Sequence, residues 1–338
     1  KLVENLFTGI SVPIEILDES FKSLRSSDQP LFKSGAVVEM LQILDEEGEA
    51  LTDASERLVA VQQKLSSGRD LDNLVGQKVA DKLESLLNRY SGLIGVLADA
   101  PEIMGDFLGK DGPKRYLVLG QSSDEIRPAG GFTPSVWSIT LDQGVLVETE
   151  YINVLTFGER WVLDQIPPPP DALHIHMDAG AWYLRDVGWS PNFRSVAETV
   201  VLMNTATDRE PIDGVISLTQ WGFVHLVTGL GSIGTAEGQL SGKAVMQNIE
   251  DGTDSEGTDY LLTLFNFMIE SLTIGGIQEN FTEFGQSFLS AFDEKQIMLY
   301  STDDELENKI EELGWSGNLS WQPGDVLGVF DSNIGWNK

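Results

Sequence analysis

At residues 109–115, "GKDGPKR", the hydrophobic rhythm of the chain changes, and that change constrains the fold more than any other feature. Before it, apolar residues recur every three or four positions, the period of an amphipathic helix. After it, short apolar runs alternate with helical patterns, and such alternation packs as helices against a sheet. The stretch itself combines glycine and proline with charge, so it reads as a linker. The expectation is an all-α segment over 1–109 and an α/β domain over 110–338.

In the first segment, "AVVEMLQILDEEGEALTDASERLVAVQQKLSSG" reads as one long helix with Gly68 as its stop. "LDNLVGQKVADKLESLLNRYSGLIGVLADAPEIMGDFLG" has the same period, with Asp70 or Asp72 placed to cap it. Two arrangements suit these helices: a hairpin or bundle packed on itself, or a stalk that spaces the following domain from a membrane. In the second segment, "RYLVLG" is a continuous apolar run, as a buried strand requires. "SVWSITLDQGVLVETEYINV" alternates about "DQG" and reads as a hairpin. "IPPPPDA" is an extended loop. "SVAETVVLMNTAT", "QWGFVHLVTGLG", "TDYLLTLFNFMIESLTIGG" and "DDELENKIEELGW" read as helices, and "IDGVISLT", "QIMLYS" and "DVLGVFDSN" as strands.

Composition narrows the function. Asp and Glu total 53 against 22 Lys and Arg, a net charge of −31. Such a surface repels phosphate backbones, which argues against nucleic acid as a partner. It suits a chain that must stay soluble or one from a salty habitat. With no cysteine, disulfides, thiolate nucleophiles and thiolate metal ligands are excluded. No run approaches the length of about 18 apolar residues that reads as a membrane helix. The chain starts at Lys1 rather than Met, which leaves a signal or anchor upstream open.

Four stretches concentrate chemistry. In "SSDEIRPAGGF" (122–132), Pro128 biases Arg127 towards an extended backbone and two glycines permit close approach. Arg127 could then present its planar fork to a phosphate or carboxylate, or pair with Asp124 or Glu125 in a structural loop. In "YLRDVGWSPNF" (183–193), Arg185 and Asp186 stand beside Trp189 and Phe193. That set suits an anion and metal site, or a buried ion pair that ties a loop down. "HIHMD" would put His174, His176 and Asp178 on one face of a strand, a conceivable transition-metal set. "EDGTDSEGTD" (250–259) lacks the register of a calcium loop and reads as solvated, and "GLGSIG" follows a helix rather than a strand, which rules out a dinucleotide site.

Taken in order, "RYLVLGQSSDEIRPAGGF", "LRDVGWSPNF", "IDGVISLT" with "HLVTGLGSI", "KQIMLYSTDDELENKIEELGWSGNL" and "DVLGVFDSN" resemble a bacterial family of domains of unknown function. Its signature is Arg-Pro-x-Gly-Gly-Phe followed by Leu-Arg-Asp-x-x-Trp-Ser-Pro-x-Phe. The resemblance runs from about residue 85 to the end, and the family's chain is expected to continue past Lys338. That family is in turn distantly similar to the LytR–CpsA–Psr proteins. These are extracytoplasmic, membrane-anchored transferases that move glycopolymers from a polyprenyl-pyrophosphate carrier onto the cell wall, with Mg²⁺ and arginines at the pyrophosphate.

The resemblance implies a LytR–CpsA–Psr-like layered α/β domain, with a central mixed sheet flanked by helices. It implies that Arg127, Arg185 and Arg160 contact phosphate, that Asp124 or Asp186 holds Mg²⁺ or acts as a base, and that an apolar groove takes the lipid tail. Two departures bear on activity. Where the transferases carry a proline-arginine-aspartate segment, this chain has "LTFGERW", with Arg160 alone as a stand-in. Where they carry late arginines, it has "MQNIEDGTDSEGTDYLL", which is acidic. The expected function is an extracytoplasmic cell-envelope protein that transfers or binds a polyprenyl-pyrophosphate-linked glycan or cell-wall polymer. The alternative is a non-catalytic surface or assembly protein that retains the scaffold.

Overall fold

The computed structural model describes residues 2–26, 33, 35–67, 87, 91, 94, 97–98, 100–154, 165–235, 238–252, 257–274, 281–319 and 327–334. Arg160, Gly68, Asp70 and Asp72, named above, lie outside the described residues. The N-terminal segment contains α1 (Leu2–Ser26), α2 (Ala36–Glu46) and α3 (Gly48–Ser67). The single long helix expected from residue 36 is therefore two. Glu47 caps α2, its N–H bonding back to Ile43 O, and a new helix starts at Gly48. The phase of the apolar pattern is the same on both sides of the break, which hides it, although the pattern lapses across "DEEGE" (45–49). α1 packs along α2 and α3.

The second segment is a mixed α/β layer structure. A five-stranded sheet has the order β3-β2-β1-β4-β7, built from β1 (Lys114–Ser122), β2 (Phe132–Asp142), β3 (Val145–Ile152), β4 (Gly214–Thr219) and β7 (Ile297–Ser301). β1 pairs in parallel only with β4, and the other neighbours are antiparallel. β2 and β3 form the expected hairpin, turning at Gln143 and Gly144, whose φ angles are 50° and 75°. That pair of positive φ angles is the turn a right-twisted hairpin favours. β3 is an edge strand with its middle residues exposed. β5 (Ile233–Thr235) and β6 (Gly238–Leu240) make a separate small ribbon.

β1 is buried through its centre, and its side chains alternate between two apolar clusters. Tyr116 and Val118 join Trp137, Ile139 and Leu141 of β2 on one face. There they meet α6 (Gln220–Gly229), α8 (Gly257–Ile274), α9 (Phe281–Asp293) and the N-terminal helices. α7 (Gly242–Gly252) borders this side. Leu117 and Leu119 join Val136, Val215 and Met298 on the other face, under α5 (Phe193–Ala206) and a 3₁₀ helix, Leu184–Trp189. Burial on both faces explains why the central strands read as unbroken apolar runs. The two segments meet directly: the Phe107 and Tyr116 rings stack at 4.1 Å, and the Tyr116 hydroxyl donates to Phe107 O at 2.7 Å. The described N-terminal helices therefore share an apolar cluster with the sheet.

α10 (Asp304–Glu312) follows β7. Beyond it, residues 327–334 run without strand pairing, although "DVLGVFDSN" reads as a strand. β7 faces the turn after α10, where Leu299 N–H donates to Trp315 O at 2.9 Å.

Candidate functional site

The site grows from the carboxyl ends of the parallel strands β1 and β4, where ligands of open α/β sheets usually sit. Residues 123–131 leave β1 and return into β2, closed by Phe132 N–H donating to Glu125 O at 3.0 Å. Gly130 and Gly131 hold φ of 82° and 124°, which side-chain-bearing residues rarely adopt. A Cβ at Gly130 would also overlap the Gln121 side chain, and one at Gly131 would overlap Ser122 O. The double glycine of "RPAGGF" is thus a steric requirement of the loop.

The second motif docks on this loop through backbone. Ala129 N–H donates to Gly188 O at 3.1 Å. A Cβ on Gly188 would lie 2.8 Å from Gly131 O and 3.0 Å from Ala129 O. Underneath, Gln121 Nε2 donates to Ala129 O at 2.7 Å, and Ser217 Oγ donates to Gln121 Oε1. Asn192 accepts from Arg194 N–H at 3.0 Å, so "SPNF" leads into α5 as a capped turn.

The two motifs converge on Asp186. Arg127 Nη2 donates to Asp186 Oδ1 at 3.0 Å, and Arg185 Nε donates to Asp186 Oδ2 at 3.4 Å. Sequence reasoning offered Asp124 or Glu125 as Arg127's internal partner, and the observed partner is 59 residues away. The Arg127 side chain is 2% exposed and that of Asp186 11%. Arg127 Nη1 donates to Ile126 O at 3.0 Å and to Asn333 O at 2.8 Å. Phe132 and Trp189 flank the guanidinium, with ring centres 5.9 and 6.0 Å away. Its Nε is buried without a partner. Arg185 is the accessible cation, 35% exposed and 5.0 Å from the Tyr183 ring centre. Trp182 Nε1 steadies the turn by donating to Asp186 O at 3.2 Å.

Asp124 lies apart from this cluster. It is exposed and accepts from Gln220 Nε2 at 3.3 Å, while Gln220 Oε1 accepts from Ser123 Oγ at 3.0 Å. These residues fit Mg²⁺ poorly. Asp186 stands between two cations that repel a divalent ion, and Asp124 offers a lone carboxylate where hard cations take several oxygens. The histidine reading also loses its geometry. "HIHM" belongs to a helix, α4 (Asp171–Met177), not a strand. Positions i and i+2 on a helix diverge by about 200°, so His174 and His176 do not share a face, and Asp178 sits past the helix end with φ of 51°. The proline run "PPPP" supplies a helix start there, which is the signal the strand reading overlooked. Among the described residues no three His, Asp or Glu side chains gather as a metal set.

On the other face of the sheet, Gly120, Ser135, Trp137, Leu218, Phe223 and Phe265 surround a cavity of about 20 Å³, near the room one water needs. Trp137, on β2, stacks on Phe265 of α8 at 4.0 Å. Ser135 Oγ and Trp137 Nε1 are buried without partners. Sequence reasoning missed them, although polar residues in "SVWSIT", on a strand buried on both faces, were the available signal.

Residues 111–253 match the family described as protein of unknown function (DUF4012). The resemblance drawn from the Arg-Pro-x-Gly-Gly-Phe and Leu-Arg-Asp-x-x-Trp-Ser-Pro-x-Phe motifs is borne out there. The motifs of β7 and α10 lie beyond the matched span. No curated protein matches the chain. Among solved structures, the Lin1025 protein of Listeria innocua is 14% identical, with a TM-score of 0.34, over 61% of this chain and 80% of its own. Lmo1026 of Listeria monocytogenes (a fragment) is 16% identical, with a TM-score of 0.24, over 63% of this chain and 98% of its own. Overlaps this loose decide neither fold nor function.

Proposed function

We propose that this chain is an extracytoplasmic cell-envelope module that retains a LytR–CpsA–Psr-like scaffold and binds, without transferring, the pyrophosphate end of a lipid-linked glycan. The observation that carries the reading is the convergence of two guanidinia on one carboxylate. Arg127, Asp186 and Arg185 leave one positive charge in excess, in a chain of net charge −31. Half-exposed Arg185 is the first contact for an anion, and planar guanidinium is well suited to phosphate oxygens. Binding without transfer is supported by the state of the carboxylates. Both Asp186 oxygens are taken up by the two arginines, and Asp124 stands outside their reach in the hydrogen-bond pattern. The acidic "MQNIEDGTDSEGTDYLL" adds no cation to neutralise a leaving pyrophosphate.

A second reading, in which the cluster is only a structural tie, is favoured by the 2% exposure of Arg127. Titration with polyprenyl pyrophosphate, followed by a glycan-transfer assay, separates these readings. Binding that weakens in Arg185→Ala, with no transfer, supports the module. Glycan transfer would make the chain an enzyme, and no binding would leave the tie.

A further inference from the structure

α1 is covered on one face only. Its Gly9, Pro13, Ile16 and Ser20 are buried, and a Cβ on Gly9 would lie 2.7 Å from Leu58 Cδ2 of α3. That face is close-packed against the bundle. A second face, turned about 120° round the helix, is apolar and open. On it Val3 is 78% exposed, Phe7 72%, Ile10 43% and Ile14 59%. These four stand at alternating separations of four and three residues, the a and d spacing of paired helices. Pro13 lies on the packed side, so its ring does not interrupt the stripe. Among the described residues, no other helix exposes four large apolar side chains at this spacing. The stripe amounts to roughly 400 Å², within the range where the largest apolar patch of a monomer is often functional.

We propose that α1 pairs through this stripe with α1 of a second copy of the chain, the two helices running parallel and in register. The flanks of the stripe choose the direction. Glu4, Ser11 and Asp18 line one flank, and Leu6 and Pro13 line the other. In a parallel pair the acidic flank of each copy lies beside the apolar flank of its partner. In an antiparallel pair each flank meets its own counterpart, and Glu4 would face Asp18 as a like charge. A membrane surface is the poorer occupant. Helices that lie on membranes are rich in Lys and Arg on the polar face, whereas the exposed polar residues described in α1 are Glu4, Glu15, Asp18 and Glu19 against Lys22 alone. Two stripes bury about 800 Å², short of the roughly 1,200 Å² of the smallest standard interfaces, so the pair forms only at raised protein concentration. The net charge of −31 on each copy opposes pairing, so salt promotes it, unlike a contact built on ion pairs. A two-fold pair covers the stripe of both copies and closes on itself. The inference is independent of the anion site at Arg127 and Arg185.

Sedimentation equilibrium of the full 338-residue chain tests the pair. The expected result is a monomer–dimer equilibrium whose dimer fraction rises with protein concentration. It should rise again between about 0.1 M and about 1 M salt, as the screening length shortens from about 10 Å to about 3 Å. Phe7→Glu should weaken the dimer roughly thirtyfold, the loss that a central aromatic anchor produces. Phe7 is open in the single chain, so circular dichroism of this variant should match that of the unmutated protein. The chain has no cysteine, so introduced thiols report the geometry without interference. Under oxidised glutathione, Phe7→Cys should form a disulfide-linked dimer with itself, and Val147→Cys, on β3, should not. Monomer at every concentration up to about 1 mM, at both salt levels, overturns the pair. A dimer unchanged in Phe7→Glu, or equal cross-linking at positions 7 and 147, also overturns it. Cross-linking of Phe7→Cys to Ile10→Cys, but not to itself, overturns the parallel register.

Discussion

Asp186 is the residue on which the site depends, because it neutralises a guanidinium that water scarcely reaches. Breaking such a pair from one side leaves a buried charge, which costs about 3–5 kcal/mol, whereas apolar replacement of both partners is often neutral. Arg127→Met and Asp186→Leu should therefore each lower the urea midpoint strongly, and the double variant should recover much of the loss. Additive losses would mean that the pair is not the unit. Glu307 is another buried carboxyl. Its Oε2 accepts Ser301 N–H at 2.9 Å, and its Oε1 is buried without a partner. Burial pushes its carboxyl up to about 7, against the pull of Ser301 N–H and of Arg194. A raised carboxyl favours the protonated fold. Its contribution is complete below about pH 4.5, the ordinary value, and is lost as pH rises through about 7. Unfolding free energy should fall across that window in the unmutated chain, and less so in Glu307→Gln. Parallel pH profiles would sink this assignment.

At the scale of elements, α10 depends on its start. Asp303 Oδ1 accepts from Glu305 N–H and Leu306 N–H, both at 3.0 Å, and these bonds hold its carboxyl below the ordinary value. Asp303→Ala should cost about 1 kcal/mol by chemical denaturation, the usual worth of such a cap. A cost within error would mean that packing alone fixes the helix start. Elements of this kind were legible in advance: β1, the β2–β3 hairpin, β4, α5, α6 and β7 each carry a period and a stop that a single sequence displays. The break at Glu47 was passed over, although the apolar pattern lapses across "DEEGE" (45–49) and Gly48 stands within it, because the phase resumes unchanged at Leu51. Nor was the partner of Arg127 legible. "EIRPAGGF" and "LRDVGWSPNF" were each conspicuous, but only the crossover that brings the 3₁₀ helix under Ala129 places Asp186 beside Arg127. The terminal segment misled for a related reason, since "DVLGVFDSN" has strand composition but lacks a neighbour to pair with among the described residues.

At the scale of the whole molecule, charge dominates. A net charge of −31 makes the folded chain repel itself, and salt relieves that repulsion. Screening shortens from about 10 Å at 0.1 M salt to about 3 Å at 1 M. The thermal midpoint should rise by several degrees over that range. A midpoint indifferent to salt would show that the acidic side chains are too dispersed to interact. The exposed ion pairs Arg115–Glu148 and Arg209–Glu150 should add little at either end. Those two glutamates have another consequence. They stand on β3, the open margin of the sheet, where bare peptide groups could template the strand of a neighbouring copy. A second copy approaching that margin in register meets its own glutamates, so crowding such chains together should leave them dispersed rather than drive fibre growth.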